Sequence, residues 1–163
     1  MPNWCSNYVQ FSGPEANISK LKEAVESAMV REIEQSQGQV LFGIETMYGY
    51  FFDTCIVSDA ETELSITYET KWSPNLETLG DTCIHFGVDA ECEYREVGME
   101  IFGTCNISAD GSITDEPIPR AFLDLIEYSI DNDVYLYKPN GLEFECMDEI
   151  LDTYYPTWKL ENK

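Results

Sequence analysis

The stretch that decides the fold runs from residue 63 to residue 94 and reads ELSITYETKWSPNLETLGDTCIHFGVDAECEY. Its first seven residues alternate between polar and apolar side chains, which predicts a half-buried strand. Ser73 and Pro74 then supply a helix N-cap and a first helical position, and helical spacing of apolar residues continues to Phe86. A second alternating run begins at Val88. The stretch therefore predicts a strand, a helix and a second strand.

The sequence on either side extends this order. Residues 4–11 predict a first strand, and the helical spacing within residues 14–29 predicts a first helix. Residues 40–52, rich in aromatics and glycine, predict a strand with a loop, and a turn after residue 96 leads to a strand over residues 99–107. The order β-α-β-β-α-β, with one added hairpin strand, is the split βαβ pattern of ferredoxin-like folds. We therefore expect an α+β protein whose antiparallel sheet has two helices on one face and a free opposite face.

The sequence after Pro117 predicts an elaboration made of a helix and a hairpin. Apolar residues at helical spacing indicate a helix, a hairpin follows within residues 135–146, and a short helix is expected at residues 147–154. The residues of the first of these helices that should face inward are Phe122, Leu125, Ile126 and Ile130. We expect a ferredoxin-like domain at residues 1–112 and a C-terminal α/β elaboration at residues 113–163, packed together as one compact unit.

The charge of the chain limits its partners. There are 31 acidic and 9 basic residues, a formal net charge of -22, whereas solubility of a small domain needs a magnitude of only about 2 to 8. Such a chain repels phosphate backbones and anionic membranes and is attracted to basic surfaces. The sequence also has no apolar run long enough for a membrane span, and its start does not resemble a secretory signal. We therefore expect a cytoplasmic protein that binds neither nucleic acid nor membranes.

A catalytic or metal site has little support in the residue pattern. His85 is the single histidine, so only Cys83, His85 and Cys92 could form a mixed ligand set, and no Cys-x-x-Cys pair is present. The six cysteines are scattered, which is typical of small buried hydrophobic residues in a reducing compartment rather than of disulfides. We expect no enzyme activity, metal or cofactor, and keep a metal-dependent enzyme using Cys83 and His85 as an alternative.

Three motifs point to a family. The opening residues 1–7 with Ser12-Gly13-Pro14, the helix start at residues 70–74 and the hairpin at residues 94–103 resemble the YubB-like family of phage- and plasmid-encoded proteins with a ferredoxin-like domain. The resemblance covers residues 1–112 in patches. It implies a mobile-element protein acting inside a bacterial host, and it supplies no catalytic residue.

The carboxylates on the predicted strands are the main candidates for a functional site. Residues i and i+2 of a strand lie about 6.6 to 6.8 Å apart on one face, so Glu91 and Glu93 should project together. If their strand lies near the strand of Glu63 and Glu69, the four form a negative array of the kind that a DNA-binding protein meets on a phosphate backbone. A second acidic candidate follows Pro117. Its residues are Asp124, Glu127, Asp131 and Asp133.

An aromatic anchor is expected beside these charges. If the loop that carries Tyr48, Tyr50 and Phe51 projects from the domain, it could fill a pocket on a partner. We predict a protein that binds and inhibits a basic, nucleic-acid-handling host protein, such as a restriction or CRISPR component, by DNA-like charge mimicry. The alternative is a structural or assembly module whose acidity serves only solubility.

Overall fold

The computed structural model describes residues 3–41 and 50–162 and divides the chain into two compact units, Met1–Pro117 and Ile118–Lys163. The boundary falls later than the expected one at residue 112, because residues 113–117 form a strand that pairs within the first unit. Within the described ranges, no helix combines the length and the hydropathy that a membrane span requires.

The first unit is an antiparallel sheet with two helices. Its elements in chain order are β1 (Trp4–Ser12), α1 (Glu15–Gln35), β2 (Phe52–Asp59), β3 (Glu63–Lys71), α2 (Leu76–Phe86), β4 (Asp89–Glu96), β5 (Ile101–Ile107) and β6 (Ile113–Pro117). The six strands lie in the order β2-β3-β1-β4-β5-β6, and every neighbouring pair is antiparallel. The expected α+β class and antiparallel sheet are confirmed. The strand expected within residues 40–52 is misplaced, because β2 begins only at Phe52, and residues 42–49 lie outside the described ranges.

Alternation along β1 explains how the sheet is layered. Cys5, Val9 and Phe11 are fully buried, whereas Trp4 and Tyr8, which point to the opposite side, are each 40% exposed. Residues of α1 and α2 join the buried face of the sheet in one hydrophobic core, and the buried residues of α1 recur every three or four positions. Side chains alternate between the two faces of a strand and recur about every 3.6 residues on a helix, so each element buries one side in this core. The other side of the sheet stays accessible.

The second unit differs from the expected helix and hairpin. Its elements are α3 (Arg120–Leu123), β7 (Ile126–Ser129), β8 (Val134–Tyr137), β9 (Leu142–Phe144) and α4 (Met147–Glu161), and the three strands form an antiparallel sheet in the order β7-β8-β9. The β8–β9 hairpin and the final helix are confirmed.

The prediction of a long helix after Pro117 is wrong. Only Arg120–Leu123 is helical, and the chain then enters β7, in which Tyr128 pairs with Tyr135 of β8 at a ring-centroid distance of 5.0 Å. Ile130, expected to face inward, is 83% exposed. Cross-strand aromatic pairs stabilise a strand, and this long-range pairing overrides a local helical spacing.

Candidate partner-binding surface

The four acidic residues predicted on the sheet do share one face. We call this the open face: it comprises the side chains of β1, β3 and β4 that point away from the core. Ser12 of β1 pairs with Glu63 of β3, and Ser6 pairs with Glu69. On the other side of β1, Gln10 pairs with Glu91 and Tyr8 pairs with Glu93 of β4. Because directly paired residues lie on the same side of a sheet, these four carboxylates surround β1 on its exposed side.

The sequence reading missed two members of the open face. Asp89 pairs with Ser12, which places it in the same row as Glu63. Tyr8 lies in the middle of β1, between Thr67 and Glu93, with 40% of its surface exposed. The alternation of β1 could have revealed Tyr8, because it puts this aromatic residue on the polar side of the strand.

A cavity of about 390 Å³ opens beside Tyr8. Its lining includes Ser6, Thr67, Glu69 and Glu93, together with one cationic residue, Arg95. Hydroxyl groups and carboxylates are hydrogen-bond acceptors, so the cavity is suited to donors such as the ammonium of lysine or the guanidinium of arginine.

The negative charge is not uniform over the open face. Arg95 lies two residues after Glu93 on the same side of β4, and its Nε donates to Glu93 Oε1 at 2.7 Å. The Glu93 charge is therefore partly neutralised. The Glu63 carboxylate accepts a hydrogen bond from the neutral side-chain amide of Gln10 at 3.3 Å, which leaves its charge in place. Together with Asp89, Glu63 makes the end of the face near Ser12 the more strongly negative one.

The acidic candidates of the second unit are arranged differently from the prediction. Asp124 Oδ1 accepts from Arg120 Nε at 2.7 Å, and a Glu127 carboxylate oxygen lies 3.8 Å from Lys138 Nζ. Asp133 accepts a hydrogen bond from the hydroxyl of Tyr128, and Asp131 lies exposed in the turn between β7 and β8. These residues do not form one helix face, and two of their charges have cations beside them. They are the weaker candidate for a basic partner.

The predicted aromatic anchor is wrong for Phe51. Phe51 is fully buried and packs against Tyr68 at a ring-centroid distance of 4.5 Å, so it belongs to the core. Tyr50 is half-buried, and Tyr48 lies outside the described residues. The exposed aromatic residues near the carboxylates are instead Trp4 and Tyr8.

The alternative metal site is not assembled within residues 3–41 and 50–162. Cys83 is fully buried, and burial raises the pKa of its thiol to about 12, whereas His85 is exposed on α2. Cys92 is also buried, which raises the pKa of its thiol strongly. A thiolate is the form that binds metal, so such thiols are poor ligands. In this part of the chain no group of three or more metal-binding side chains occurs.

Buried hydrogen bonds hold the β3–α2 connection against β1. The Asn7 amide donates to the Cys5 carbonyl at 2.8 Å and to the Thr70 hydroxyl at 3.0 Å. The Thr70 hydroxyl in turn donates to the carbonyl of Ser73 at 2.9 Å. Within the same connection, the Tyr68 hydroxyl donates to the side-chain oxygen of Asn75, just before α2, at 2.9 Å. Two motifs that are distant in sequence, residues 1–7 and 70–74, are thereby joined.

The turn between β4 and β5 is organised by a buried carboxylate. Glu96 is 2% exposed, and its two oxygens accept the backbone N–H groups of Gly98, at 2.8 Å, and Met99, at 2.5 Å. Hydrogen bonds to a charged group are stronger than neutral ones, so this pair offsets the cost of burying the carboxylate.

Glu96→Ala is expected to lower the free energy of unfolding by about 2 kcal/mol, because it leaves two turn amides without their acceptor. Urea denaturation followed by circular dichroism measures the effect. Glu91→Ala on the exposed side of the same strand is the control and should change stability by less than about 0.5 kcal/mol. Equal effects of the two substitutions would show that the turn does not depend on Glu96.

Comparisons with known proteins address the fold. The sequence model of a family described as the ferredoxin-like domain in Api92-like protein matches residues 49–140. This range begins after the opening motif and extends past Pro117, unlike the expected range of residues 1–112. The structure is similar to that of protein api92 from Yersinia pseudotuberculosis, with a TM-score of 0.51 and 8% sequence identity, over 73% of this chain and 99% of that chain. No curated protein matches the chain.

Proposed function

We propose, from the premise that this chain belongs to the family of the ferredoxin-like domain in Api92-like protein, that it binds a basic protein through the open face. The partner is a nucleic-acid-handling protein of a bacterial host, such as a restriction or CRISPR component. The carboxylates of the open face occupy the place of DNA phosphates and inhibit that partner. The protein acts in the cytoplasm of a cell that carries a phage or plasmid, a setting that rests on the resemblance of the opening motif.

The observation that carries the proposal is the clustering of carboxylates on an accessible face that also carries an exposed aromatic residue. Glu63 and Asp89 flank Ser12, Glu91 flanks Gln10, and Tyr8 lies next along the same face. Carboxylates of one sign on an accessible face attract a basic surface over distances of about a Debye length, some 8 to 10 Å at physiological salt. An exposed tyrosine adds a flat contact area, which is typical of interface hot spots.

The alternative function, a structural module whose acidity serves solubility, makes a different demand. A charge that serves only solubility can lie anywhere on the surface. In that case the carboxylates of the open face would contribute no more to partner binding than other surface carboxylates do. Charge mimicry instead requires that the open face contributes more to partner binding than other acidic surfaces do. It also requires that duplex DNA competes for the same partner.

Glu63→Lys combined with Glu91→Lys is expected to weaken partner binding at least about tenfold, which is about 1.4 kcal/mol. Both residues are exposed, and Glu93, whose carboxylate accepts from Arg95, is left unaltered. Immobilised protein is incubated with bacterial lysate at low salt, and bound proteins are eluted with salt or with duplex DNA and identified by mass spectrometry. Basic nucleic-acid-binding proteins should be recovered by both elutions.

The matched control is Glu23→Lys with Glu34→Lys, which makes the same charge change on the exposed side of α1. This control should retain the captured proteins. Recovery of no basic protein by the unaltered chain would rule out charge mimicry. An equal loss in both double variants would assign the attraction to the overall charge and favour the solubility function.

A further inference from the structure

Three segments that carry the sequence motifs meet at one end of the sheet. The carbonyl of Asn3 accepts the backbone N–H of Trp72 at 2.9 Å, which joins the start of β1 to the end of β3. The Asn3 side chain also lies against the β4–β5 turn, where a Cβ on Gly98 would come within 2.5 Å of its amide nitrogen. Residues far apart in sequence are therefore brought to one place.

This end of the sheet exposes apolar side chains. We call it the sheet-end patch: Trp4, Trp72, Val97 and Met99, of which 40%, 47%, 44% and 53% of the surface is exposed, respectively. Single exposed apolar residues are normal on a protein surface. Here two tryptophans, a valine and a methionine from three converging segments are exposed at one place. Exposed apolar patches of this kind mark interaction sites.

The backbone of Trp72 is the second unusual feature. Trp72 has a φ of 73°, in the left-handed region that bulky residues rarely adopt. The neighbouring residues are held by the hydrogen bonds from Asn7 to Thr70, which is buried, and from Thr70 to Ser73, which is partly buried. The fold therefore maintains an unfavourable backbone conformation at a side chain that is not part of the core. Such strain is found where a side chain has a role at the surface.

We infer that the sheet-end patch is the apolar anchor of the partner-binding surface, with Trp72 as its principal residue. This inference rests on the proposed function. The patch continues the open face, since Trp4 lies on the same side of β1 as Tyr8 and is paired with Lys71 at the end of β3. The carboxylates of the open face attract the partner, and the patch provides contact area that is insensitive to salt.

The occupant of the patch is a basic protein segment that carries an aromatic or aliphatic side chain among arginines or lysines. Charge complementarity favours this occupant, because its basic part can reach along the open face to Glu63, Asp89 and Glu91, beyond Lys71 and the pair of Arg95 with Glu93. A second copy of the chain is disfavoured, because each copy carries a net charge of -22 and the two would repel each other.

The test uses Trp72→Gly, which removes the side chain and also the backbone strain. Glycine adopts positive φ without steric cost, so this variant should be at least as stable as the unaltered protein. The probes are two synthetic peptides of equal length and arginine content, one with leucine and tryptophan between the arginines and one with serine there. Affinities are measured by isothermal titration calorimetry at low salt.

The unaltered protein should bind the leucine- and tryptophan-containing peptide at least about tenfold more tightly than the serine peptide. Trp72→Gly should abolish this preference and leave the affinity for the serine peptide unchanged. Met99→Ser should reduce the preference in the same direction. Ile130→Ala, which removes an apolar side chain that is 83% exposed in the second unit, is the control and should have no effect.

Binding of both peptides with equal affinity, or a preference that survives in Trp72→Gly, would overturn the anchor role of the patch. Failure of the proposed function gives a different result: neither peptide binds at low salt, or Glu63→Lys with Glu91→Lys binds both as tightly as the unaltered protein does. The two ideas are therefore separated by the same set of titrations.

Discussion

Gly103→Ala is expected to lower the free energy of unfolding by about 3 kcal/mol or more, because a side chain at this position has no space. Gly103 of β5 pairs directly with Tyr94 of β4, and a Cβ on Gly103 would lie 2.3 Å from the Tyr94 hydroxyl oxygen and 2.9 Å from the Glu116 carbonyl oxygen. Tyr94 cannot easily move away, because it is buried and its hydroxyl donates to Asp115 at 2.7 Å. Urea denaturation followed by circular dichroism measures the change.

Two further variants separate the steric cause from a general effect of replacing glycine. Gly141→Ala is the matched control: its φ is 71°, but nothing lies within 4 Å of the new Cβ, so it should cost only about 1 kcal/mol. In a Tyr94→Leu background, Gly103→Ala should cost clearly less, because the ring is gone and only the Glu116 carbonyl remains close. If Gly103→Ala costs the same with and without Tyr94, the close packing of this pair does not explain the effect.

Raising the pH is expected to unfold the protein with a midpoint between about pH 10 and pH 12, because its buried thiols resist ionisation. Burial raises the pKa of Cys5 and Cys105 from 9.0 to about 11 and that of Cys83 to about 12, and it also raises the pKa of Cys92. Between pH 9 and these values the unfolded chain loses protons that the folded chain keeps. Stability therefore falls as the pH rises, by about 1.4 kcal/mol per pH unit for each thiol and about 5.5 kcal/mol per pH unit for all four.

Cysteine variants test this cause. Cys92→Val replaces a buried thiol with an apolar side chain that does not ionise, so the decline of stability with pH should become less steep by about 1.4 kcal/mol per pH unit. The double variant Cys55→Ser with Cys146→Ser alters only the two exposed thiols and should retain the midpoint. A protein that stays folded beyond pH 12, or an equal shift of the midpoint in both variants, would contradict the role of the buried thiols.

Local patterns in the chain predicted most elements of the first unit, but neither β2 (Phe52–Asp59) nor β6 (Ile113–Pro117). The alternation of Leu64, Ile66 and Tyr68 correctly predicted β3, and the apolar spacing that follows correctly predicted a helix, because period-two and period-3.6 burial depend mainly on neighbouring residues. The expected helix start at Ser73 and Pro74 is wrong, since α2 begins at Leu76 with Asn75 as its N-cap. The same alternation put Glu91 and Glu93 on one side of β4. Their approach to Glu63 and Glu69 remained conditional on strand order.

The same reasoning failed where a residue's partner is distant in sequence. The spacing of Phe122, Ile126 and Ile130 fits a helix, yet pairing with β8 makes residues 126–129 a strand. Similarly, no local pattern separates Phe51, which is fully buried against Tyr68, from an exposed aromatic residue. Propensity is a weak prior, and long-range pairing and packing override it.

The composition and periodicity of the chain determined its acidity, its α+β class and the side of each strand that faces the core, since each of these depends on residue identity and short-range spacing. The tertiary structure determined that β1 lies between β3 and β4, that Tyr8 shares one face with carboxylates of both strands, and that Asn3 meets Trp72 and Gly98. These contacts join segments separated by many residues, and their formation depends on strand order and register, which no local segment encodes by itself.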